Sequence, residues 1–298
     1  MTHRIRMARG DRAFGVATFA MALMCTLIVL YPLIYVLSCS ISSPVLVGAG
    51  KVVLLPHGLT LIGYRRVFQE KEILTGYMNT ILYTVVGTAV NMAVTLPAGF
   101  VLSKQKLPGQ KLFLFLFLFT MYFSGGMIPT FLLVKGLGLY NTRAVLVILG
   151  AFNVYNCIIC RTFFSTLPAD IEEAAMIDGC SPIRTFLQIV LPLSQALLGV
   201  MVLYFAVGHW NAYFNALIYI NKEEYKPLQL VLRRILVQEQ MSADMMASGG
   251  DEYAAEQYKL RELIKYAVIV VSSVPVLILY PFLQKYFVKG VMIGSLKG

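Results

Sequence analysis

Cysteine and histidine are the residue types that most readily carry chemistry, and here their spacing argues against it. Cys157-Ile-Ile-Cys160 has the spacing of half a metal site, but it closes an apolar run with no second pair and no nearby histidine. Two small apolar residues on one helix face are the simpler expectation. His3, His57 and His209 are dispersed, so no catalytic constellation is visible and no metal site is expected. Cys25, Cys39, Cys157, Cys160 and Cys180 are scattered and do not suggest a disulfide scaffold. No G-x-x-x-x-G-K-[ST] string occurs, so the chain has no phosphate-cradling loop of its own. Ala247-Ser248-Gly249-Gly250-Asp251 reads as a flexible turn. The chain is therefore not expected to be an enzyme.

A second set of residues suits binding better than catalysis. Asn79, Tyr83 and Asn91 form one group, Asn153, Tyr155 and Asn156 a second, and His209, Trp210, Asn211, Tyr213 and Asn215 a third. All lie in otherwise apolar runs, where polar side chains are costly and often functional. Sugars present C–H faces that stack on aromatic rings and hydroxyls that pair with amides. This mixture suits a carbohydrate path better than an ion path, with Asn79, Tyr83, Asn153, Asn156, Trp210, Asn211, Tyr213 and Asn215 as the candidates. Tyr and Trp also anchor helices at membrane interfaces, and Asn can hydrogen-bond between helices, so those readings stay open.

The elements that position these residues follow from composition. Of 298 residues, 58% are hydrophobic and 13% charged, and the mean hydropathy is +0.73. Soluble domains carry about 25% charged residues, which excludes a soluble enzyme or a nucleic-acid-binding domain. The net charge of +10 fits basic cytoplasmic loops instead. A bilayer core of about 30 Å needs roughly 20 apolar residues per spanning helix. Six runs free of Asp and Glu meet that length: about 14–37, 78–102, 111–134, 142–160, 193–220 and 263–283. The expected fold is all-α, a polytopic membrane protein with six transmembrane helices in one domain, 1–298. An even number of spans puts both termini on one side, and Arg4, Arg6, Arg9 and Arg12 place that side in the cytoplasm. The first apolar run, about 24 residues, exceeds the 7–15 of a signal peptide, so an uncleaved span is expected.

The most informative stretch is the predicted cytoplasmic segment 161–192. Asp170 is placed to N-cap a short helix, with Glu173 three residues on as in a capping box. Gly179 is placed to end that helix in a left-handed conformation. Ser181 then caps a second helix with Pro182 at its first position. Ile183, Phe186, Leu187 and Val190 form a stripe before Pro192. Ala174 and Ala175 give the first helix a low profile that a partner could approach closely.

This stretch resembles the EAA motif of bacterial ABC-importer permeases. Glu173-Ala174-Ala175, three residues, Gly179, nine residues, then Ile189-x-Leu191-Pro192 matches every spacing of that pattern. Cys180 replaces the usual Ala after the Gly. Its place between the fourth and fifth spans resembles the MalG-like type. Gly125-Gly126-Met127-Ile128-Pro129, Trp210-Asn211-x-Tyr213-Phe214-Asn215 and the tail Phe287–Gly294 are similar to the LplC/YtcP branch of carbohydrate permeases. The resemblance implies a type I importer permease for oligosaccharides, in which 161–192 forms the coupling loop. It implies ATPase contact through Glu173, Ala174, Ala175, Asp178 and Gly179, with Ile189, Leu191 and Pro192 completing the motif. It further implies a second, different permease, two ABC ATPase subunits that hold ATP and Mg, and an extracellular or periplasmic substrate-binding protein. The location implied is the bacterial cytoplasmic (inner) membrane, in contact with lipid and not with nucleic acid. The segment 221–262, with Glu223, Glu224, Arg233, Arg234, Asp251, Glu252 and Glu256, could dock the binding protein or be a solvated loop. An ion-coupled secondary transporter is the alternative; such carriers commonly use intramembrane carboxylates, and the predicted spans hold none.

Overall fold

The computed structural model describes residues 9–104, 107–247, 264–278 and 280–281. Arg4, Arg6, the turn over 248–251, the loop acids Asp251, Glu252 and Glu256, and the tail motif lie outside these residues. In chain order the helices are α1 (Arg9–Ser40), α2 (Pro44–Gly48), α3 (Ile62–Gln69), α4 (Lys71–Ser103), α5 (Gln110–Tyr122), α6 (Met127–Gly136), α7 (Arg143–Ile148), α8 (Val154–Phe164), α9 (Ala169–Ile177), α10 (Pro182–Thr185), α11 (Leu191–Leu193), α12 (Gln195–Trp210), α13 (Phe214–Tyr219) and α14 (Leu228–Ala247). A further helix, α15, covers Ile264–Ile278. A π-turn at Phe186–Val190 joins α10 to α11. No strand occurs among the described residues.

Two helices, Ala13–Ser40 within α1 and α4, are long and apolar enough to cross a membrane; counting each bent pair as one span raises this to four. The six uninterrupted runs expected from composition are thus not six uninterrupted helices. The third run breaks over Phe123–Gly126, where α5 and α6 meet at 110°. Gly126, at φ +85°, turns the chain, and Pro129 sits in the first turn of α6, where its missing N–H costs no helical bond. The fourth run breaks between α7 and α8, and the Asn153 side chain restarts the helix by accepting from the Asn156 N–H at 3.0 Å. In the fifth run Asn211–Tyr213 separate α12 from α13. Apolar length sets how much chain lipid or protein can cover, but Gly, Asn and caps set where the axis turns.

The chain divides into two units, one from Met1–Glu70 and Arg234–Ser272, the other from Lys71–Arg233 and Ser273–Gly298. In the first, Cys39, Val47, Val52 and Tyr266 form a small core. The chain after α1 is tied to itself: Ser38 Oγ donates to the Leu54 carbonyl (2.6 Å), and Ser42 Oγ accepts from the His57 N–H (3.1 Å).

The second unit is organised on α4, an unbroken helix of 33 residues despite Pro97. Glycines let neighbours come close along it. A Cβ on Gly76 would lie 3.2 Å from the Leu228 backbone, one on Gly87 2.5 Å from the His209 ring, and one on Gly99 2.5 Å from Cys160 Cβ. One core joins Leu96 and Phe100 of α4 to Cys160, Phe164, Phe186, Val190, Leu197, Met201 and Phe205. A second joins Val134, Val145, Ala216, Tyr219, Ile220 and Leu230. The segment expected as a loop from 221 onward becomes helical at Leu228, because Leu228, Val231 and Leu232 give it a buried stripe at helical spacing.

A buried polar network crosses the middle of this unit. Asn91 (1% exposed) donates through Nδ2 to the Gly150 carbonyl at 2.5 Å, and its Oδ1 lies 2.6 Å from His209 Nε2. Because Nδ2 must be the donor, Oδ1 is the acceptor and His209 carries its proton on Nε2. The network pins the α7–α8 break to α4 and α12. Asn91→Leu strands both partners, and we expect it to lower the thermal stability of the detergent-solubilised protein by roughly 1–3 kcal/mol. A melting curve that matches wild type removes the network from any structural role.

Candidate functional site: the exposed helix at 169–177 and the broken fifth run

Local chemistry shapes α9 and its turn. Helix α9 starts with Pro168, not Asp170, at the N-cap, and no side chain caps it. Asp170 instead lies in the first turn with Glu172, where a negative charge favours the helix dipole. The shift follows from Pro168, whose ring presets an extended residue (ψ 132°) that opens the helix two residues early. The exit is as expected. Gly179 adopts φ +77°, its N–H reaches the Met176 carbonyl (3.1 Å), and the Cys180 N–H reaches the Ala175 carbonyl (2.9 Å). These are the paired bonds of a Schellman turn. Ser181 caps α10 as expected, accepting from the Arg184 N–H at 3.4 Å with Pro182 at the first position.

Helix α9 offers one face outward. Ala175 is 3% exposed, whereas Met176 and Ile177 are 61% and 87% exposed. Glu173, Ala174, Asp178 and Gly179 are also exposed, and nothing lies within 4 Å of the Cβ position on Gly179. The outward surface thus comprises Glu173, Ala174 and Met176–Gly179, while Ala175 seats the helix on the chain. Met176 and Ile177 escape a reading by motif letters; two adjacent apolar residues just before a left-handed glycine are the signal that finds them.

The stripe predicted after Ser181 is only half realised. Phe186 and Val190 are buried, but Ile183 and Leu187 are exposed. The π-turn at 186–190 advances the register by one residue, so the stripe does not continue along one face. Ile189 and Leu191 are half-buried and Pro192 is exposed. At buried Ser194, whose Oγ donates to the Val190 carbonyl at 2.7 Å, the chain bends by 86° into α12.

The amide and aromatic candidates separate into two groups. Asn79, Tyr83 and Trp210 are buried. Asn79 Nδ2 donates to the carbonyls of Glu224 (2.8 Å) and Lys226 (3.1 Å), and Tyr83 Oη donates to that of Tyr225 (2.8 Å). Thr80 adds a bond from the Leu228 N–H at 2.8 Å. These side chains anchor the segment 224–228 to α4. Trp210 meets the Tyr77 ring edge-on at 5.6 Å. The other group is open: Asn153, Asn211, Tyr213 and Asn215 are exposed and Asn156 is half-buried. The Arg233 guanidinium lies 5.3 Å from the centre of the Tyr213 ring, a cation–π pairing. Among the described residues, no group of three His, Cys, Asp or Glu side chains could hold a metal ion.

Residues 73–293 match the model of a protein family described as "Binding-protein-dependent transport system inner membrane component". The chain belongs to this family. The permease is 40% identical over 289 residues to the polygalacturonan/rhamnogalacturonan transport system permease protein YtcP of Bacillus subtilis (strain 168), covering 97% of this chain and 99% of YtcP. It is 39% identical over 296 residues to protein LplC of the same organism, covering 99% of both chains. A chain of the crystal structure of a bacterial ABC transporter involved in the import of the acidic polysaccharide alginate superposes with TM-score 0.85 at 36% identity, covering 95% of this permease and 99% of that chain. The fold is therefore that of an ABC importer permease of type I, as the EAA spacing implies, and the family is a transport permease rather than an ATPase. Membership does not favour the ion-coupled carrier.

Proposed function

We propose that this chain is one permease subunit of an ATP-driven importer for oligosaccharides, acidic ones in particular. In this reading it crosses the cytoplasmic membrane six times with both termini inside and forms a single domain over 1–298. It shares the translocation path with a second, different permease. Two ABC ATPase subunits hold ATP and Mg, and an extracellular or periplasmic binding protein delivers the sugar. The segment 161–192 is the coupling loop: Glu173, Ala174, Asp178 and Gly179, joined by Met176 and Ile177, meet the ATPase. Ala175 supports the helix from behind, and Ile189, Leu191 and Pro192 carry its displacement into the bend at Ser194.

The observation that carries the reading is the exposed face of α9, held by the left-handed turn at Gly179, in a chain of this transport family. The acidic character of the sugar is supported by the names of two relatives, one for polygalacturonan and rhamnogalacturonan and one for alginate. It is also supported by Arg233 resting on Tyr213 near the open amides Asn211 and Asn215, which suits a sugar carboxylate flanked by hydroxyls. Asn153 and Asn156 extend the path, while Asn79, Tyr83 and Trp210 give it its walls. The chain should co-purify with an ATPase subunit, and oligogalacturonate with its binding protein should stimulate ATP hydrolysis by the reconstituted complex. Uptake that persists after ATP is exhausted contradicts the proposal.

A further inference from the structure

Two cations at the end of α4 do more than close a turn. Lys104 follows the last helical residue, Ser103, where a positive charge favours the helix C-terminus. Its ammonium pairs with the carboxylate of Glu172 in the first turn of α9. The same ammonium lies 3.9 Å from the centre of the Phe100 ring. Phe100 meets Phe164 edge-on at 5.8 Å and lies against Phe186 with tilted rings at 4.9 Å. Phe164 is the last residue of α8, before the loop, and Phe186 opens the π-turn after it. Beside them, the Leu102 carbonyl, one of the four at a helix end without a helical partner, accepts from Arg161 Nε (3.1 Å) and Gln110 Nε2 (2.6 Å). The exit from α8, the coupling helix and the entrance to the bend therefore converge on the last turn of α4.

Resting on the coupling role proposed for 161–192, we infer that the Lys104–Glu172 pair is the strut through which α9 drives α4. Helix α4 is continuous for 33 residues, a rod of about 50 Å. Its N-terminal half grips the segment 224–228 through Asn79, Thr80 and Tyr83. A displacement of α9 at the C-terminal end is thus delivered along the helix to 224–228 without crossing a break. Glu173, its neighbour, is exposed to the ATPase side; Glu172 faces inward to Lys104. The two acids of Glu172-Glu173 divide the work, one holding the permease and one offered to the partner. Lys104 and Glu172 are positioning residues. At 31% and 21% exposed their pair adds little to stability, so its loss should appear in coupling before it appears in folding.

The test is charge reversal in the complete transporter, reading sugar uptake per ATP hydrolysed alongside the amount of assembled complex and its melting temperature. Lys104→Glu and Glu172→Lys should each lower uptake per ATP by about fivefold or more, with assembly and melting unchanged. The double variant Lys104→Glu/Glu172→Lys should recover most of the ratio. Lys104→Met, which keeps the stem over Phe100, should lose the ratio as Lys104→Glu does. Single variants with a wild-type ratio, a double variant that stays uncoupled, or a defect confined to Glu172 variants each overturn the strut. Gly179→Pro is run in parallel. If it uncouples while the charge variants do not, only the strut fails; if it too leaves the ratio unchanged, the coupling role of 161–192 fails with it.

Discussion

Gly179→Pro should remove sugar uptake, by about 100-fold or more, while the protein still inserts in the membrane. Proline is confined to φ near −65°, and Gly179 sits at +77°. The substitution also deletes the N–H that bonds the Met176 carbonyl, and it displaces the neighbouring bond from Cys180 to Ala175. Helix α9 then loses its defined end, and the exposed pair Met176 and Ile177 no longer points where α10 and the bend require. If α9 meets the ATPase as proposed, a bulky residue at exposed Ala174 should reach a similar outcome by a different route, holding that subunit away with the Gly179 turn intact. Membrane abundance by immunoblot, sugar uptake and ATP hydrolysis by the assembled transporter separate the two parts of the expectation. Uptake coupled to ATP hydrolysis at the wild-type ratio in Gly179→Pro contradicts it.

Gly99→Val should act on folding itself. A Cβ there would stand 2.5 Å from Cys160 Cβ, 3.1 Å from the Arg161 nitrogen and 3.3 Å from the Cys157 carbonyl oxygen. Two of these atoms are backbone of α8, so no rotamer change relieves the collision; α8 must move away from α4. Overpacking of this kind costs roughly 1–3 kcal/mol and occasionally more, and here it wedges open the core around Phe100 and Phe164. The variant should accumulate poorly and melt earlier in detergent. Gly136→Ala, where nothing lies within 4 Å, is the matched control and should leave both readings unchanged. Equal melting of the two variants would mean that α4 and α8 are less closely apposed.

The parts of this architecture that rest on neighbouring residues were legible in the sequence. Ser181 with Pro182 announces a helix start, and Gly179 announces a left-handed stop, because caps are written within three or four residues of the backbone they serve. The same logic misplaced the start of α9: Asp170 read as the N-cap, and the fixed ring of Pro168 opens the helix two residues before it. What depends on distant partners was not legible. Asn79 and Tyr83 read as polar residues on a sugar path, and they are hydrogen-bonded to carbonyls about 140 positions away in the chain. Nothing local marks the partner of Lys104, whose carboxylate lies 68 residues on. Apolar runs reported how much of the chain avoids water; they did not report the elbows at Gly126, Asn153 and Asn211, where a helix stops inside the run. The outward face of α9 was readable as a surface, but which residues occupy it depended on the direction in which α9 lies on the core.

Trp210 has a consequence of a different kind. It is the chain's one indole, buried in α12 with the ring of Tyr77, a residue of α4, against its edge. Indole emission shifts to longer wavelength as water reaches the ring, so any transport step that parts α12 from α4 writes itself into this subunit's spectrum. Once the tryptophans of any partner subunits are replaced, Trp210 is an optical gauge, and a parting of α12 from α4 can be timed without attaching a dye.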